Sequence, residues 1–171
     1  MPNWVYNTIT INGDKDDVAK FAKQASKPAL FTSEGESTSD FSFANFIHPP
    51  QHALESGEYW ATNGFQGGET VGNTPNNWYN WNNKYWGTKW DACEPDVMSI
   101  DDTLATYSFN TAWAPPMPVF EAMVQQFPRL VFSIRYEEEQ GWGGSIEASG
   151  GAFSSHKQWE MAQPIDVVAG L

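Results

Sequence analysis

A single cysteine, Cys93, occurs in the chain. Its solitude excludes an intramolecular disulfide and the multi-cysteine frameworks that hold structural zinc or iron–sulfur clusters. A chain of this kind fits a reducing cytosol, and the expected location is the cytoplasm of a host cell. Positive charge is scarce as well. Lys and Arg number 9 against 21 Asp and Glu, which gives a formal net charge of −12. General binding to DNA or RNA needs clustered cations on phosphate, so this balance argues against it. A small phosphorylated ligand needs only one or two local cations and stays open, as does a basic protein surface. No stretch approaches the ~18 apolar residues of a membrane helix. The opening MPNWVYNTITING lacks the basic and apolar regions of a signal peptide.

The usual signatures of chemistry are also missing. There is no GxSxG elbow, no phosphate-binding GxxxxGK[ST] loop and no GxGxxG after a strand; GGSIEASGG is rich in glycine but opens no helix. His48 and His52 are four apart, yet Pro49 and Pro50 stand between them, so they cannot share a regular helical face. His156 is alone, and no HExxH spacing exists. Asp91, Glu94, Asp96, Asp101 and Asp102 read as a solvated acidic surface, since they follow no calcium-loop pattern. Asp91 and Glu94 flank Cys93 and disfavour its thiolate. No catalytic residue, metal ligand or cofactor is assigned. An uncharacterised enzyme survives as an alternative only because carboxylates from distant positions can be assembled by folding.

What the chain does have is rings. Aromatic residues make up 15% of it, with 9 Trp, and hydrophobic residues 40%, enough for a sizeable core in 171 residues. In WVYNTITIN at 4–12, Val5, Ile9 and Ile11 share one face, which predicts a strand. Asp14 is placed as a helix N-cap, Asp16 and Asp17 suit the first turn, and Val18, Phe21, Ala22 and Ala25 form one helical stripe that Pro28 ends. TSEGESTSD at 32–40 reads as a polar loop. FSFANFI at 41–47 is a second candidate strand, and 51–75 reads as mostly irregular loop. TLATYSFN at 103–110 predicts a strand. Pro115, Pro116 and Pro118 mark a helix start, with Phe120, Met123, Val124 and Phe127 as its stripe up to Pro128. LVFSIRY at 130–136 alternates as a strand, and GWGGSIEASG at 141–150 adds a hairpin strand.

Two short amphipathic helices need one sheet to cover. The expected fold is therefore α+β, a ferredoxin-like split βαβ sheet with two helices on one face, in a single domain over 1–171. An aromatic-rich insertion at about 49–102 separates the two halves and is expected to cover part of the other sheet face. The motifs MPNWVYNTITING, FIHPP, NKYWGTKWDA and FNTAWAPP, in this order, resemble the YubB-like proteins of bacteriophages and plasmids. The resemblance spans roughly residues 1–150, and WGTKWDA at 86–92 is its most specific element. It implies a ferredoxin-like domain and a phage or mobile-element origin, and it supplies no catalytic residues.

Candidate site residues are chosen for stacking and for charge. Trp78, Trp81 and Tyr85 fall at i, i+3, i+7, and Trp86 and Trp90 at i, i+4, a broad aromatic face if helical. Lys84 and Lys89 are the cations of that segment. Trp142, between glycines beside three carboxylates, is a contact candidate, and Arg135 is placed on the strand face opposite Phe132 and Ile134. The expected division is Trp86 and Trp90 in the core, with Trp78, Trp81 and Lys84 on a surface that touches a partner. The leading functional expectation is a phage-type accessory protein. It would bind a small nucleotide-like ligand without catalysis and sequester a host immune signal. The alternative is an acidic inhibitor that binds a host protein. An RNA-binding module ranks below both, because LVFSIRY and TLATYSFN do not match the RNP1 pattern. Oligomeric state, homo-oligomer included, is left open.

Overall fold

A computed structural model describes residues 1–27, 29–32, 35–37, 39–49, 70–71, 74–75 and 78–160. Pro28, expected to end the first helix, and His52 lie outside them. The strands of the main sheet are β1 (Trp4–Asn12), β6 (Cys93–Ile100), β7 (Leu104–Ala112), β8 (Val131–Glu138), β9 (Gly143–Ser149) and β10 (Ala152–Trp159). The helices are α1 (Lys15–Ala25), α2 (Trp78–Tyr85) and α3 (Met117–Gln126), with a 3-10 turn at Phe43–Asn45. β2 (Ala29–Thr32) pairs with β3 (Gly35–Ser37), which falls within the stretch 32–40 read as loop. Of 51–75, only the two-residue strands β4 (Thr70–Val71) and β5 (Thr74–Pro75) are described.

The six strands run in the order β10-β9-β8-β1-β7-β6, and every pairing is antiparallel. Within that order, β8-β1-β7-β6 with α1 and α3 is the split βαβ arrangement expected from the sequence. β9 and β10 extend the sheet past β8. The second strand of the split unit is therefore β6, inside the 49–102 stretch read as insertion, and not residues 41–47. FSFANFI fails as a strand because its residues are not buried alternately. Phe41, Ser42, Phe43 and Ala44 are all buried, and the Ser42 hydroxyl accepts from the Ala44 amide to cap a tight turn.

One face of the sheet carries the core. Val5, Ile9 and Ile11 of β1 are fully buried, and so are Phe21 of α1 and Phe120 and Met123 of α3. Phe21 is the hub. Its ring centroid lies 5.3 Å from Phe46, 5.6 Å from Tyr107, 5.1 Å from Phe127 and 6.0 Å from Phe132. Six strands ~4.8 Å apart span roughly 24 Å, while two helices ~10 Å wide cover about 20 Å. Rings from the aromatic segments fill the remainder. Phe41 stacks on Phe109 at 4.9 Å, and Phe43 meets Phe109 at 5.3 Å and Trp86 at 5.8 Å. The expectation that the aromatic segment covers the opposite face is thus corrected for Trp81 and Trp86, which pack on the helical side, while Trp90 lies against Trp4, which shares its strand face with Tyr6. The opposite face is polar, with Ser133, Arg135, Glu147 and Lys157 exposed and Tyr6 51% exposed.

Asp91 fastens this extra layer. Its carboxylate accepts from the Ser42 hydroxyl (2.5 Å) and from the amides of Phe43 and Ala92 (both 2.7 Å). Burial nonetheless raises its pKa above the ordinary 3.8, against the opposing effect of those three bonds. The folded protein then holds a proton that the unfolded chain releases above pH 3.8. Stability from this group is full below that pH and is lost as pH rises through the folded value. The Asp91→Asn variant should lose this slope, so thermal melts from pH 3 upward should show wild type falling relative to the variant; parallel profiles would contradict the assignment. Removal of the hub by Phe21→Ala should cost about 3–5 kcal/mol in urea unfolding.

Candidate functional site

The β8–β10 end of the sheet, where it meets the start of α3, opens into a cleft of about 830 Å³. That volume lies within the range of roughly 300–1,000 Å³ typical of small-molecule sites. Pro115 and Met117 form its helical wall, and Tyr136, Trp142, Gly143, His156, Gln158, Trp159 and Glu160 form the rest. Strand register brings the residues of this sheet end side by side, with Tyr136 and Trp159 on opposite faces of the sheet. Tyr136 of β8 stands opposite Gly144 of β9, and Gly143 stands opposite Trp159 of β10. A Cβ on Gly144 would collide with the Tyr136 hydroxyl, and one on Gly143 would come within 2.8 Å of the Trp159 ring. The two glycines are therefore the space into which the two rings lie. The Tyr136 hydroxyl and His156 Nε2 are 2.7 Å apart, which joins β8 to β10 across β9.

Around the hairpin the polar groups are largely acidic. Arg135 reaches back to Glu137 at 3.0 Å and stands over the Trp159 ring at 4.8 Å. Glu138 is buried; one carboxylate oxygen accepts from the Gln140 amide at 2.7 Å, and the other has no hydrogen-bond partner. The Glu138 amide donates to the Trp142 carbonyl at 2.8 Å and closes the turn that carries Trp142. At the same end of the sheet, Trp113 holds a left-handed backbone (φ 72°) with its side chain 54% exposed. A bulky residue held so costs of order 1–3 kcal/mol, and such outliers cluster at functional sites.

The sequence-predicted residues do not converge. Trp142 lines the cleft, and Arg135 adjoins it through Trp159. Trp78, Trp81, Lys84 and Lys89 belong to α2 and the loop after it. Trp81 is 3% exposed and packs on Trp86 at 5.3 Å, so it is core and not contact surface. Trp78 is half-buried against that core. Trp86 is buried as expected, and its indole donates to the Ile47 carbonyl at 3.0 Å. Trp90 is half-buried, 6.2 Å from Trp4. Lys84 lies 5.2 Å from the Tyr85 ring, and Lys89 lies 4.5 Å from Trp90. Gly87, at φ +79°, ends α2, and its amide donates to the Asn82 carbonyl. Tyr136, read only as a strand residue, His156, read as isolated, and Trp159 were not among the sequence-predicted site residues; the adjacent glycines 143 and 144, ready to face large rings, were the available signal.

Other groups offer little for catalysis. Cys93 is half-buried, and burial first, then Asp91 and Glu94, push its thiol pKa up, so thiolate is disfavoured as expected. Burial and Asp40 push Tyr107 up to about 12. Among the described residues, no three His, Cys, Asp or Glu side chains gather as a metal site, and no helix is long and apolar enough to cross a membrane.

Residues 86–166 match the family model described as "Ferredoxin-like domain in Api92-like protein". All the cleft residues named above fall inside that span. Among solved structures, the crystal structure of a protein api92 from Yersinia pseudotuberculosis matches at TM-score 0.59 and 10% identity, over 96% of this chain and 100% of that one. A likeness at that identity shows the shared fold alone. No curated protein matches the sequence. The ferredoxin-like α+β fold is thus shown, and the likeness found is to Api92-like proteins. Gly144→Ala should push Tyr136 out of its place, break its bond to His156 and cost about 1–3 kcal/mol, measured by chemical denaturation.

Proposed function

We propose that the chain is a non-enzymatic binding protein and that the β8–β10 cleft is its ligand site. The ligand is small and carries a flat, nucleobase-like ring that the cleft grips. A phage-type accessory protein of this kind would act by sequestering a host signal. The observation that carries the reading is the cleft itself: about 830 Å³, walled by two tryptophans, a tyrosine and a methionine, with His156, Gln158 and Glu160 as polar partners. Stacking of a base on an aromatic ring is worth ~1–3 kcal/mol and tolerates many ring types. His156, Gln158 and Glu160 supply both donors and acceptors for the ring's edge. The Trp-rich segment of α2, by contrast, spends Trp81 and Trp86 on the core.

A panel of nucleosides, nucleotides and cyclic oligonucleotides, titrated by calorimetry, tests the reading. At least one should bind, and Trp142→Ala should weaken it at least about tenfold, the loss of one stacking partner, with an unchanged far-UV spectrum. Trp81→Ala should instead unfold or strongly destabilise the protein. No heat and no thermal shift with any compound, or binding indifferent to Trp142, would overturn it.

A further inference from the structure

The cleft's charge pattern says more about its occupant, on the premise that it is a ligand site. We infer that the group entering the cleft is a cation with an apolar skin: an alkylated ammonium, or a ring nitrogen that alkylation has made positive. It is not a phosphate.

Three observations lead there. First, no Lys or Arg lines the cleft. All 9 Lys and Arg of the sequence fall among the described residues, so none is hidden in the remainder. Arg135, the nearest guanidinium described, stands over Trp159 with its charge already offset by Glu137 at 3.0 Å.

Second, the helix that abuts the cleft cannot serve as an anion site. A helix N-terminus binds phosphate through free backbone N–H groups. At the start of α3 these are used up or missing. The Met117 amide donates to the Pro115 carbonyl at 2.9 Å, Pro118 has no N–H, and the amides of Val119 and Phe120 donate to the Pro116 carbonyl at 3.0 and 3.1 Å. The prolines that start this helix also close its end to anions.

Third, what remains suits a cation. Trp142 brings a π-system whose face attracts positive charge, and Met117 adds a polarisable wall. Glu160 lines the cleft and brings a carboxylate to it. An alkylated cation needs no hydrogen-bond donor set and sheds its water easily, which is what rings and sulfur can satisfy. A primary ammonium or a phosphate would keep its water and stay outside.

Matched pairs separate charge from shape. Choline and its neutral isostere 3,3-dimethylbutanol form one pair, and 7-methylguanosine and guanosine form the other. Guanosine monophosphate is the anionic control, and a trimethyl-lysine peptide tells a protein-borne cation from a free one. The expected result is that the charged member of at least one pair binds at least about tenfold more tightly than its neutral partner, the scale of a desolvated cation–π contact. Trp142→Ala should abolish that preference, and Glu160→Gln should reduce it while the fold, followed by circular dichroism, is unchanged. Preference for the peptide over choline would place the cation on a protein side chain. Neutral members binding as well as charged ones, or the monophosphate binding best, would overturn the charge assignment and leave the cleft as a ligand site. Binding of nothing in either panel would remove both.

Discussion

The fold depends on filling one face of a six-stranded sheet that is wider than its two flanking helices. Aliphatic side chains on β1 and the stripes of α1 and α3 begin the job, and phenylalanines complete it. Phe21 sits where four other rings converge. Phe41, Phe43 and Trp86 then carry the layer sideways over Phe109. Rings suit this role because each buries a large area and accepts tilted as well as edge-on neighbours. The cost is that a chain turn, not a strand, must deliver Phe41 to Phe46, and the buried Asp91 carboxylate is the device that pins that turn.

Beyond the filled helical face, a cleft of about 830 Å³ opens at one end of the sheet. There β9 and β10 extend the sheet beyond β8 and the split βαβ unit, and the proline-rich start of α3 stands across from them. Gly143 and Gly144 let Trp159 and Tyr136 lie flat at that end. The same rings that would crowd a core become walls of an open cleft. The −12 charge, which first suggests a partner surface, has one of its carboxylates, Glu160, at this cleft.

Much of the fold was legible in the sequence, for a physical reason. Val5, Ile9 and Ile11, or Phe132, Ile134 and Tyr136, alternate because their strands are buried on one face only, and Val18, Phe21 and Ala25 recur at helical spacing. β6 was not legible. CEPDVMSI is an edge strand with Pro95, two charged residues and two register shifts, and none of its residues is fully buried. β10 is also an edge and mostly exposed. Residues 41–47 misled because consecutive burial in a tight turn imitates a strand's hydrophobicity. The site was less legible than the fold. Trp142 stood out between its glycines, but Trp159, Tyr136 and His156 come together only through antiparallel register, which a one-dimensional reading does not contain. The Trp78 to Lys89 segment drew attention by density of rings, and those rings turned out to serve packing in part.

The claim at the centre is that the β8–β10 cleft, and not the tryptophan-rich α2 segment, is where a ligand binds. The nine tryptophans carry nine indole N–H probes, each resolvable in a nitrogen–proton correlation spectrum once assigned. Titration with choline and with 7-methylguanosine, followed through those signals, tests the claim most directly. The account predicts that Trp142 and Trp159 move with a saturating dose curve while Trp81 and Trp86 stay still. Shifts confined to Trp78 and its neighbours, or no shift at Trp142, would contradict it.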